Sequence, residues 1–79
     1  MVIMEKYNIM NYYKVSIKEL RNTIYKNNRT ITEIDWNRIA NENNYLSSET
    51  IGYVSKTRFN KLCKKILRRI QHANKKQNV

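Results

Sequence analysis

The stretch Thr57-Arg58-Phe59-Asn60-Lys61-Leu62-Cys63-Lys64-Lys65-Ile66-Leu67-Arg68-Arg69-Ile70-Gln71-His72-Ala73 decides the fold class. Phe59, Leu62, Cys63, Ile66, Leu67, Ile70 and Ala73 recur at steps of three and four, the spacing that returns side chains to one face of an α-helix. The stripe is broader than a two-position coiled-coil seam, so it predicts a helix, capped at Thr57, laid on a globular core. Lys61, Lys64, Lys65, Arg68, His72 and Lys75 fall on the opposite face. One side of this element is built for a core and the other for a polyanion.

Earlier in the chain the same signals recur in weaker form. Ser16-Ile17-Lys18-Glu19 has the capping-box form, in which a serine and a glutamate three residues on satisfy each other's orphan amides. With Ile17, Leu20, Ile24 and the stop Asn27-Asn28, it predicts a helix over 16–27. Thr32 is the next cap, with Asp35 near the positive helix end, and Trp36, Ile39 and Ala40 form an inward face over 33–43. Asn43-Asn44 ends that helix, because asparagine accepts the left-handed conformation. Ser47 and Ser48 then start a short helix over 48–54, bounded by Gly52 and Ser55. Residues 1–15 show no clean period and are expected as an arm or short element; 75–79 reads as a frayed basic tail.

The expectation is therefore one all-α, four-helix domain over 16–74, with an N-terminal arm and a helix-turn-helix-like unit. Seventy-nine residues allow only one core. The absence of proline and the single glycine exclude a turn-rich β fold. One cysteine and one histidine give neither an internal disulfide nor a four-ligand zinc site. No apolar run is long enough for a signal peptide or a membrane span, so a cytoplasmic protein is expected.

The net charge of +10 is unevenly spread. Residues 1–55 carry seven cations against all six acids, whereas residues 56–79 carry nine cations and no acid. Such a segment repels itself alone and gains on meeting a polyanion. Arg58, Lys61, Lys64, Lys65, Arg68 and Arg69 are the candidate phosphate contacts. Cys63 lies in the apolar stripe and His72 on the polar face, neither with a catalytic partner, and the dispersed acids offer no metal pair. No catalytic residue, metal or cofactor is expected.

The run Trp36-Asn37-Arg38-Ile39-Ala40-Asn41-Glu42-Asn43-Asn44-Tyr45-Leu46-Ser47-Ser48-Glu49-Thr50-Ile51 resembles the short helix-turn-helix-like repeats that accompany homing endonucleases and other phage proteins. Ala40, Glu42, Ser47, Ser48, Thr50 and Ile51 fall in matching places without a gap. Asn44 stands where that pattern has glycine and Leu46 where it has proline; the downstream Phe-Gly-Ser-Trp segment is not matched, Phe59 falling one place late. The resemblance implies a DNA-binding module without a nuclease. Ser48, Thr50, Tyr53 and Lys56 become the residues expected near bases, although a helix with so little arginine, asparagine or glutamine is thin for direct base reading.

Asparagine, lysine and isoleucine make up 32 of the 79 residues, a codon usage expected of an AT-rich genome such as that of a low-GC bacterium, its phage or an AT-rich virus. The leading expectation is a small DNA-binding protein of a phage, virus or mobile element that meets double-stranded DNA in the host cytoplasm. The alternative is an inhibitor whose basic helix enters a groove of a host enzyme or nucleoprotein defence complex. A third is an RNA- or ribosome-associated protein. Oligomeric state stays open. Tyr12 and Tyr13 beside Lys14 also permit stacking on unpaired bases, against the plainer reading that tyrosines close the core edge.

Overall fold

The computed structural model describes the backbone of residues 2–77 and the side chains of residues 9–73. Four helices follow in order: α1 Val2–Asn27, α2 Glu33–Asn43, α3 Ser48–Ser55 and α4 Phe59–Gln77. Among the described residues there is no strand. α1 packs on α3 and α4, α3 also on α4, and α2 chiefly on α3.

α1 departs from expectation. It begins at Val2 instead of Ser16, so the segment expected as an arm is the first half of a continuous helix. Ser16 is wholly buried and caps nothing; its Oγ accepts the N–H of Leu46 at 2.8 Å. Ile9, Tyr13, Ile17, Leu20 and Ile24 follow one another at steps of three or four, so the stripe runs through Ser16 without a break. Leu20 and Ile24 are fully buried, with Tyr13 and Ile17 packed beside them. Asn28, in the left-handed region at φ 52°, ends the helix where the asparagine pair predicts it.

The middle helices start and stop by local chemistry. Thr32 accepts the N–H of Asp35 at 3.2 Å, and Glu33 and Asp35 occupy the first turn of α2. Asn44, at φ 60° and ψ 36°, closes it. Ser47 caps α3 by accepting the N–H of Thr50 at 3.3 Å. α3 runs to Ser55, so Gly52 lies inside the helix instead of bounding it. There a Cβ would stand 3.3 Å from the Thr57 carbonyl oxygen, so the small residue lets the α3–α4 turn fold back against α3. Lys56, left-handed at φ 59°, makes that turn. α4 continues through Gln77, so the backbone of 75–77 is helical; Asn78 and Val79 lie outside the described residues.

The core is Leu20, Ile24, Trp36, Ala40, Ile51, Phe59, Cys63 and Ile66. Each large member contributes about 1.5–3 kcal/mol by leaving water. Trp36 is the centre, stacked on Tyr45 at 5.9 Å between centroids and tilted against Phe59 at 6.3 Å. Its indole N–H donates to the Leu46 carbonyl at 2.9 Å. Leu62, Ile70 and Ile39, expected buried, are half-buried at the core edge, and Ala73 is exposed.

Candidate nucleic-acid interface

The first turns of α2, α3 and α4 open onto one side of the molecule and border an open groove of about 1260 Å³. α4 supplies Lys61, Lys64, Lys65 and Arg68 from its exposed face, and the preceding turn supplies Lys56 and Arg58. Glu33, Asn37, Ser47, Ser48 and Glu49 complete the α2 and α3 side. Six cations thus face two carboxylates. Among the described residues the one ion pair is Arg38 with Asp35, at 3.2 Å and away from the groove, so no groove cation is neutralised at contact distance by an acid. The fold concentrates charge that the sequence only places in order: Lys56 and Arg58 precede α4, yet the turn sets them beside its cationic face.

Several expected base contacts are committed elsewhere. Ser48 is 2% exposed; its N–H donates to Asn37 Oδ1 at 2.8 Å and its hydroxyl to Glu33 Oε1 at 2.9 Å. Thr50 is half-buried, its hydroxyl 3.0 Å from that of Ser47. Ser48 thus holds α3 on α2, while Thr50 is tied to Ser47, the cap of its own helix. Tyr53 is 85% exposed but does not line the groove; it borders a second, apolar hollow between α1 and α3. Arg69 is exposed on the flank of α4, outside the groove. Groove residues not anticipated include Glu33, Asn37, Glu49 and Asn60. Asn60 was legible, since it shares the polar face of α4 with Lys61 and Lys64; the reach of Glu33 and Asn37 across to α3 had no local signal.

The turn from α2 to α3 is set by Asn44 and Leu46. Asn44 takes the left-handed conformation that glycine adopts freely. Leu46 uses its backbone N–H to reach Ser16, a bond that proline could not make. With its carbonyl bound by Trp36, Leu46 is held on both sides by the core, which fixes where Ser47 starts α3.

Cys63 is wholly buried, and burial, with Glu33 nearby, pushes its thiol up to about 11 against the pull of a hydrogen bond with the Ile31 backbone. At neutral pH it is an inert apolar group. Among the described residues no cluster of three or more histidine, cysteine, aspartate or glutamate side chains could hold a metal ion, and no helix is long and apolar enough to cross a membrane. Tyr13 packs on the core and Tyr45 on Trp36, while Tyr12 is 49% exposed. The chain matches no family model, no curated protein and no solved structure.

Proposed function

We propose that this chain is a non-catalytic DNA-binding domain of a phage, virus or mobile element, whose α4 groove takes the backbone of double-stranded DNA. One observation carries the reading: Lys56, Arg58, Lys61, Lys64, Lys65 and Arg68 line one groove, and among the described residues no acid is paired to any of them. A cationic surface that spends nothing on internal pairing is suited to phosphates. The two helices joined by residues 44–47 serve as a helix-turn-helix-like unit, and the resemblance over residues 36–51 supports it. Because Ser48 and Thr50 are used internally, affinity resides in phosphate contacts and sequence preference is modest.

The test is a salt titration of duplex binding. Six neutralised phosphates give a log–log slope of roughly −5, from about 0.9 ion released per contact. Joint replacement of Lys61, Lys65 and Arg68 by glutamine weakens binding to every duplex alike and makes the slope shallower by about three. A variant that binds as tightly as the parent at every salt concentration overturns the proposal and favours a protein target for the same face.

A further inference from the structure

The hollow on the other side of α3 is chemically unlike the groove. It is about 710 Å³, open, and lined by Ile9, Met10, Gly52, Tyr53, Val54 and Lys56. All but Lys56 lack charge, and the apolar surface is left in water: Ile9 is 45%, Met10 47% and Tyr53 85% exposed. Gly52 and Lys56 line both concavities, so the hollow and the cationic groove are separated by α3 alone.

We propose that this hollow receives an unpaired nucleobase, stacked on Tyr53, from a strand whose phosphates run along the groove. The inference rests on the groove being the phosphate path. Continuity with that path and the placement of charge commit the occupant. A strand leaving the groove passes Lys56, which holds its phosphate, and the next surface it meets is neutral, apolar and aromatic. A base offers the matching π-face, and its stacking on a protein ring tolerates any sequence. A base inside a duplex reaches the hollow only after unstacking, whereas a base in a single-stranded overhang does not bear that penalty. The preferred ligand is therefore a junction between duplex and single strand.

The experiment compares two probes with the full chain: a duplex closed by hairpins at both ends, and the same duplex with a three-nucleotide single-stranded overhang carrying 2-aminopurine. The parent binds the overhang probe about tenfold more tightly and changes its 2-aminopurine fluorescence, the fold-change of a single base stack. Tyr53→Ala abolishes the difference between the probes and the fluorescence change; Tyr53→Phe, which retains the ring, keeps both. The ring is exposed, so helical circular dichroism confirms that both variants fold. Equal binding of the two probes by the parent overturns the inference, and so does a Tyr53→Ala variant that keeps the preference. A Tyr53→Ala effect confined to self-association of the free protein likewise overturns it, assigning the hollow to a second copy. Failure of the groove reading is separately visible, because the Lys61, Lys65 and Arg68 variant then leaves binding of the closed duplex unchanged.

Discussion

Replacing Ser16 by alanine removes one oxygen from a wholly buried position and leaves the Leu46 N–H without its acceptor. Ser16 itself has no exposure to water, while Leu46 is half-buried. An unpaired, partly buried donor costs about 1–2 kcal/mol. For a domain of this size that lowers the melting temperature by roughly 5–15 °C. Thermal unfolding followed by circular dichroism measures it, and amide exchange at Leu46 reports the lost bond locally. Trp36 holds the same residue through its carbonyl, so Ser16→Ala and Trp36→Phe couple in a double-mutant cycle by at least about 0.5 kcal/mol. Because Ser47 and Ser48 follow directly, the looser turn also weakens duplex binding below the melting temperature. A Ser16→Ala protein with an unchanged melting temperature and unchanged Leu46 exchange refutes the reasoning, and the buried serine is then only a small residue at a crowded crossing.

Three further outcomes follow from the core. Phe59→Ala removes a buried ring that Trp36 packs against and lowers stability by about 3–5 kcal/mol, read from denaturant midpoints. Leu62→Asp is milder than Ile66→Asp, since Leu62 is only half-buried; the two melting temperatures rank them. Cys63 stays unmodified by a thiol reagent at pH 8 in the folded protein. Its thiol holds its proton to about 11 when folded, against 9.0 when free. Between those values the unfolded chain loses the proton first, so stability is full below pH 9 and declines toward pH 11. Cys63→Ala flattens that part of the pH profile relative to the parent.

What the sequence reveals here depends on how local the cause is. Helix α4 is legible because one face is almost wholly apolar and the other almost wholly basic. The caps at Thr32 and Ser47 and the left-handed Asn44 are legible because each is settled within four residues. α1 misleads for the same reason: Ser16 and Glu19 satisfy the local rule for a helix start, but the tertiary bond to Leu46 claims the serine. The steps from Ile9 through Tyr13 to Ile17 are the signal for the longer helix, diluted by the asparagines and tyrosines between them. For the groove, the cations were apparent from charge alone. Removing Ser48 from the contact face requires knowing that α2 supplies Glu33 and Asn37 to α3, whereas Thr50 is taken up by Ser47 in its own helix cap.

The two carboxylates in a cationic groove need their own account, since each opposes the approach of phosphate. Glu33 is committed to the fold by accepting the Ser48 hydroxyl. Glu49 has no side-chain hydrogen bond or ion pair among the described residues; it lies in the first turn of α3, where a negative charge favours the helix dipole. Glu49→Gln therefore tests what the groove meets. A single charge about 10 Å from a phosphate is worth roughly 0.4 kcal/mol in water before screening, so removing it tightens duplex binding about twofold at low salt and less as salt rises. The gain is uniform across sequences if Glu49 serves only the helix. If its carboxylate instead accepts from a cytosine amino group, Glu49→Gln weakens binding to those duplexes alone. Uniform tightening that fades with salt is the expected result from parallel titrations of several duplexes. Weakened binding to all of them contradicts it, because no electrostatic role in this groove makes a carboxylate favour a polyanion.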